Sequence, residues 1–341
     1  MALTASGTIR YSEIIAEFGT PSSGGLGEFR LSENVGSLSN LPLDSGVPQS
    51  GEIKFSDFYS KRLNHVVDLH SIGNSTSRQN AKDRWNNGNV HIVGSTKTGK
   101  TQPPNTNDDR VIINVNATIR SVKGTQTHCA LRTGTWDSNT TLEIEIGTSG
   151  KLYGSGGDGG TGGNANETPG TDGQTGSSAL GIEYPCSVNN LGVIQSGYGG
   201  GGGGGGNTRT TGGGKKGGAT TNGSSGGGGG GGAGLPAGSA GGVSTPLSQG
   251  GGSAGSAGQA GSLSGQATGG AGGSEAGAGG NSSPVNNSAT KADDGATASG
   301  AASPGTGGNN GYAIITNQGS APSLSGGGTL TGRTITSTNP T

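Results

Sequence analysis

The chain has 341 residues, 79 of them glycine, with 26% apolar and 4% aromatic residues and a formal net charge of −1. An ordinary soluble domain carries nearly twice that apolar share and roughly 7% glycine, so one large conventional core is excluded. The near-neutral charge makes no electrostatic case for a nucleic-acid partner, and no stretch approaches the roughly 20 apolar residues of a membrane span.

Residues 1–20 lack a basic-then-apolar leader pattern. Composition divides the chain into residues 1–62, 63–153 and 154–341. The first part repeats itself, in "GTIRYSE" (7–13), "GEFRLSE" (27–33) and "GEIKFSD" (51–57). Each copy predicts a short strand with Ile9 and Tyr11, Phe29 and Leu31, or Ile53 and Phe55 on one face. The serine that follows, Ser12, Ser32 or Ser56, suits a helix N-cap, with the next acid facing the positive helix end. "SEIIAEFG" then predicts a short helix stopped at Gly19. Three copies too small to fold alone are expected to pack as one small α/β domain.

The second part predicts a helix over "SRQNAKDRWNNG" (77–88), then alternating stretches at 89–93, 110–119, 128–134, 140–146 and 151–153. Val111, Ile113 and Val115, and Leu142, Ile144 and Ile146, are period-2 faces able to supply a modest core. The spacing predicts a short antiparallel β domain. Within it "GSTKTGKT" (94–101) fits a phosphate-binding loop, but "QPPNTNDD" follows. Pro103 and Pro104 force an extended path where such a loop must open a helix. The stretch therefore reads as a Gly/Thr/Lys hairpin loop.

Cys129 and Cys186 are too few for a disulfide framework and read as free, packed thiols; His65, His70, His91 and His128 are scattered. The carboxylate pairs Glu143/Glu145, Asp108/Asp109 and Asp293/Asp294 have no context for two-carboxylate glycoside cleavage. Neither enzyme activity nor a cofactor is expected.

The third part places GG-x triplets in register in "GSGGDGGTGGN" (154–164), followed by longer glycine runs. Three residues per turn is the polyproline-II period, and glycine lets such helices approach and hydrogen-bond laterally. Residues 154–341 are expected to form a polyglycine-II helix sandwich with loop interruptions.

Taken in order, "TSGKLYGSGGDGGTGGN", "SALGIEYPCSVNNLGVIQSGYGGGGGGGG", "GGGGGAGLPAG" and "PGTGGNNGYAIIT" resemble the glycine-rich distal tail-fibre adhesins of T-even-like bacteriophages. They also resemble related glycine-rich virion proteins of marine and cyanobacterial phages. The resemblance implies a fibre-tip protein on the virion exterior. Its N-terminal part would hold a trimeric fibre or baseplate protein, making Ile9, Tyr11, Phe29, Leu31, Ile53 and Phe55 the expected attachment face. Its glycine domain would present loops to a host outer-surface protein or polysaccharide.

The matching interruptions are 164–172, 207–211, 215–222, 235–249 and 281–294. Arg209, Lys215 and Lys216, with Tyr198 the nearest aromatic, are the candidate receptor contacts. Three near-copies at the N-terminus would also suit docking on a threefold fibre end. An alternative reading is a baseplate, head-fibre or capsid-decoration protein that uses the glycine bundle as a rigid spacer.

Overall fold

The computed structural model of the chain describes residues 3–70, 78–100, 109–163, 169–203, 207–211, 220–224, 231–242, 305–317, 322–336 and 340. The fold is mainly β and irregular, with few and short helices.

Residues 3–63 form a small unit around an aromatic cluster. Helix α1 (Tyr11–Phe18) buries Ile14 and Phe18. It packs with 3-10 turns at Leu26–Phe29 and Phe55–Phe58 and with the antiparallel pair β1 (Ser32–Val35) and β2 (Leu38–Pro42). Phe18, Phe29 and Phe58 meet edge to face, with ring centroids 5.5–6.1 Å apart. Edge-on contact suits the ring quadrupole better than face-to-face stacking.

Only the first and third sequence repeats share a conformation. In them Gly7 (φ 89) and Gly51 (φ 76) adopt left-handed backbone, and an extended Arg10 or Lys54 starts a helical turn. The cap is a carboxylate reaching back: Glu13 and Asp57 accept the main-chain N–H of Arg10 and Lys54, each at 2.7 Å. Ser12 and Ser56, expected as N-caps, lie inside the turns. The second copy runs the other way, a 3-10 turn ending at Phe29 and a strand starting at Ser32. Its acid, Glu33, instead accepts from Gly94 N–H at 2.7 Å and meets His91 Nε2 at 2.8 Å. The copies do not offer three equal faces, so the expected match to a threefold end is not present in their geometry.

The β region is parallel, not antiparallel as expected. Strands β3 (Asn64–Asp68), β4 (Gln79–Asn80) and β5 (His91–Ile92) open it. Then come β6 (Arg110–Val115), β7 (Thr118–Arg120), β8 (Cys129–Arg132), β9 (Thr141–Ile146) and β10 (Lys151–Tyr153). Beyond residue 153 follow β11 (Ser178–Ile182), β12 (Cys186–Asn190) and β13 (Val193–Gln195). The hairpin β14 (Asn207–Thr211) and β15 (Thr220–Ser224) stands apart. Strands β16 (Tyr312–Thr316), β17 (Ser323–Ser325), β18 (Thr329–Thr331) and β19 (Arg333–Thr336) end the described chain.

These strands wind as a three-faced solenoid. One face reads β17-β12-β9-β6-β3-β5, the second β18-β13-β10-β7 and the third β19-β16-β11-β8-β4. Except for the antiparallel β5, every pair within the faces is parallel. Strands β11–β13 and β16–β19 therefore complete sheets begun by 64–153, and the expected division at 153/154 cuts through one solenoid.

The expected period-2 faces point inward. Val111, Ile113, Val115, Leu142, Ile144 and Ile146 join Val188, Ile194, Leu180 and Ile314 in one buried cluster. On the outer side of the first face, Val66 and Ile112 pack into the N-terminal cluster with Phe29 and Phe58. That second covering is why "RVIINV" is apolar on both sides. The corner between the first and second faces is tight: a Cβ on Gly192 would lie 2.1 Å from the Gly150 carbonyl oxygen.

Helix α2 (Ala81–Asn86) is shorter than the expected 77–88 and is capped by Asn80, whose side chain accepts from Lys82 N–H at 3.0 Å. Its Trp85 meets Trp136 and His65 edge-on, each at 5.4 Å. "GSTKTGKT" is a helical turn rather than a hairpin loop: α3 (Ser95–Thr98) lies between Gly94 and Gly99, both left-handed. Cys129 and Cys186 are free thiols, each pushed up to about 12 by burial.

Candidate functional site

The corner between the second and third solenoid faces is where the chain departs. It leaves after β7 for residues 121–128, after β10 for 154–177, and after β13 for 196–311. Among the described residues, the two long excursions hold glycine-rich segments without helix or strand: a (154–163), b (171–177), c (196–203), d (231–242, which folds back at Leu235–Pro236 into two arms) and e (305–311).

Main-chain hydrogen bonds join the segments laterally at every third residue. Thr171, Gln174 and Ser177 of b donate to Thr161, Asp158 and Ser155 of a, at 2.7–2.9 Å. Gly197, Gly200 and Gly203 of c donate to Ser177, Gln174 and Thr171 of b, at 2.8–3.0 Å. Gly305, Gly308 and Gly311 of e donate to Gly203, Gly200 and Gly197 of c, at 2.7–2.8 Å. Gly156, Gly159 and Gly162 of a donate to Pro236, Ser239 and Gly242 of d, at 2.9–3.0 Å. The approach is too close for side chains: a Cβ on Gly308 would stand 2.0 Å from the Gln174 carbonyl oxygen. Backbone pairing does here what apolar burial does in the solenoid.

Side chains reinforce the lattice at a few points. Lys123 Nζ pairs with Asp158 Oδ1 at 2.6 Å, and Ser239 N–H donates to the same oxygen at 2.6 Å. Thr306 donates through N–H (2.7 Å) and Oγ1 (2.8 Å) to Asp172 Oδ1, tying b to e. Gly199 N–H donates to Asn310 Oδ1 at 3.0 Å, tying c to e. Burial alone would raise the Asp158 pKa, but the hydrogen bonds from Lys123 and Ser239 outweigh it and hold the carboxyl below its usual range. The Thr306 main-chain and hydroxyl donors lower that of Asp172.

The bundle has two unlike ends. Segments a and c start where β10 and β13 stop, and b and e run into β11 and β16. The opposite end carries Gly162, Thr171, Gly203, Gly242 and Gly305, brought together by the register above. The described chain stops short of, or resumes after, the expected interruptions at that end, next to Gly162, Thr171, Gly203, Gly242 and Gly305, while residues 164–168, 215–219 and 281–294 themselves lie outside the described residues. The interruption expected at 235–249 begins at the wrong end: Leu235 N–H donates to the Gly154 carbonyl at 2.9 Å, beside the solenoid.

Of the singled-out residues, the described ones do not share one exposed surface. Tyr198 is fully buried in the middle of c, its N–H donating to Ala233 O at 2.8 Å, so it is no surface contact. Arg209 sits in β14 opposite Asn222. Lys215, Lys216 and the stretch 281–294 lie outside the described residues. Ile9 and Phe29 are buried in the N-terminal core, and Tyr11, Leu31 and Ile53 pack against it. Of that expected attachment face only Phe55 is exposed, at 43%. A shared strand face was expected; the residues instead converge on one core because the copies fold differently.

The acids are engaged: Glu143 pairs with Arg110 at 2.9 Å, and Glu145 accepts from Asn189 at 2.7 Å. Among the described residues, no group of three or more His, Cys, Asp or Glu is placed to hold a metal ion, and no helix is long and apolar enough to cross a membrane. Sequence reading missed the roles of Asp158 and Asp172. The signal was their rarity: they are the two carboxylates within segments a to e.

This is the architecture of a mainly β structural protein that carries a glycine lattice on one corner of a solenoid. The chain belongs to the phage tail fibre adhesin Gp38 family, whose model matches residues 80–335. It is thereby a bacteriophage tail-fibre protein of the virion exterior. Among solved structures it is similar to the gp37-gp38 adhesin tip complex of the bacteriophage S16 long tail fiber, at 17% identity and a TM-score of 0.35, over 96% of this chain and 100% of that one. No curated protein sequence matches it significantly.

Proposed function

We propose that the chain is a fibre-tip adhesin whose glycine bundle is a polyglycine-II sandwich, presenting loops from its far end to a host cell-surface receptor. The observation that carries this reading is the register of segments a to e. It gathers Gly162, Thr171, Gly203, Gly242 and Gly305 at the end opposite the solenoid strands. The three-residue hydrogen-bond step and the obligate glycines support the polyglycine-II assignment. The N-terminal unit, with exposed Phe55, is the proposed attachment part, and its partner is a phage fibre protein. The bound surface is a host protein or polysaccharide, met through loops that include Arg209, Lys215 and Lys216.

The test is competition. Purified full-length chain, added to host cells before the phage, is expected to occupy receptors and reduce phage adsorption. Unchanged adsorption at saturating protein would contradict the reading.

A further inference from the structure

The outer sides of the first and second solenoid faces use their polar groups differently. On the first, the charges are answered within the chain. Arg110 pairs with Glu143 at 2.9 Å, Asn189 donates to Glu145 at 2.7 Å, and Asn114 donates to Asp68 at 2.9 Å. On the second, Ile119, Leu152 and Ile194 point into the core, so the residues flanking each point outward. These are Thr118 and Arg120 on β7, Lys151 and Tyr153 on β10, and Val193 and Gln195 on β13. Among the described residues, the side chains of Arg120, Lys151, Tyr153 and Gln195 have no hydrogen-bond or ion-pair partner.

Parallel pairing sets the six side chains in two rows. Arg120, Tyr153 and Gln195 stand on neighbouring strands in one row, and Thr118, Lys151 and Val193 in the other. Neighbouring strands lie about 4.8 Å apart and the two rows about 6.7 Å apart, which makes a flat polar grid. Lys151 is exposed, and the other five are half-buried. The grid holds two cations and no carboxylate, in a chain whose net charge is −1.

We propose that this face binds an acidic polysaccharide of the host surface, laid across β7, β10 and β13, with Arg120 and Lys151 meeting its carboxylates. The charge selects an anion. A guanidinium can hold a carboxylate through two parallel hydrogen bonds, and an ammonium attracts one as a point charge. Tyr153 adds a ring and a hydroxyl, while Gln195 and Thr118 add amide and hydroxyl groups suited to sugar hydroxyls. A protein partner would call for apolar anchors seated in pockets. Here the one aliphatic side chain of the six is Val193, and the grid is flat. Only the host origin of the glycan rests on the adhesin reading.

Binding of the full-length chain to immobilised polygalacturonate, a carboxylated polysaccharide, tests the face without cells. The unaltered chain is expected to bind it, to ignore neutral dextran, and to release as salt rises. Lys151→Glu, a change at an exposed side chain, and Arg120→Gln should each weaken binding about tenfold or more. Lys97→Glu reverses an exposed cation of the helical turn 95–98, off this face, and should change binding by less than about twofold. No binding by the unaltered chain would overturn the proposal, as would equal binding to dextran or to polyglutamate. So would full binding by Lys151→Glu and Arg120→Gln, or an equal loss in Lys97→Glu. The competition for phage adsorption is decided separately, because it reads the far-end loops on cells.

Discussion

Gly200→Ala should destabilise the bundle by about 3 kcal/mol, the upper range of overpacking costs, and open it to amide exchange over 171–203. Gly200 lies at the centre of segment c. Its N–H donates to Gln174 O at 2.9 Å, and its carbonyl accepts from Gly308 N–H at 2.7 Å. A Cβ there would stand 2.1 Å from the Asp158 carbonyl oxygen and 2.4 Å from its carbon. Those are main-chain atoms, which no rotamer change removes, so whole segments must separate and their lateral bonds lengthen. Each bond lost adds about 1 kcal/mol. Gly242→Ala is the control: its Cβ would meet nothing nearer than Thr161 Cγ2 at 3.8 Å. A surface change of that kind stays within about 0.5 kcal/mol. Denaturation of the two variants side by side decides the matter. Equal stability would mean that lateral close packing does not hold the bundle.

Acid should weaken the solenoid through His65. Burial on the inner side of β3, against Trp85, is the main cause that lowers its pKa from 6.5 to about 4; nearby main-chain groups of Arg110 and Leu63 oppose it without cancelling it. The folded chain therefore takes up this proton later than the unfolded chain does. The contribution of neutral His65 is complete above pH 6.5 and is lost progressively as the pH falls towards 4. At 1.36 kcal/mol per pKa unit the loss at pH 4 is about 3 kcal/mol. Below that pH, Asp158 and Asp172 act in the same direction. Their lowered pKa values mean stability present above the unfolded value of 3.8 and lost as the pH drops through the folded one.

His65→Phe keeps a ring against Trp85 and removes the titration. Urea midpoints between pH 7 and 4 should fall in the unaltered chain and stay nearly level in the variant. Parallel pH profiles would place the acid sensitivity elsewhere.

How much of this was legible in the sequence depends on the range of the interaction. Alternation along "RVIINV" and "TLEIEI" showed which residues face inward, because side-chain period is local. The direction of pairing was not visible. The partners of β9 and β10 include β12 and β13, beyond the glycine stretch 154–177, and one partner of β16, β11, lies across 196–311. Nothing in a single strand says across what distance its neighbour returns.

The triplets of "GSGGDGGTGG" announced lateral glycine packing, but not that segment d folds back at Leu235–Pro236, with Leu235 N–H on the Gly154 carbonyl. Tyr198 looked like an aromatic exposed in a glycine run. It is buried because segments on either side of c close over it. The N-terminal repeats were visible as spelling, yet Glu33 bonds Gly94 N–H where Glu13 and Asp57 bond their own caps. Similar letters took different partners.

The central claim is that the far end of the bundle meets the host. The most direct measurement is binding to host cells of full-length chains in which one stretch at a time, 164–170, 212–219 or 281–294, is replaced by a glycine–serine stretch of equal length. At least one replacement should abolish binding while solenoid melting stays unchanged. Full binding by every replaced chain would contradict the account.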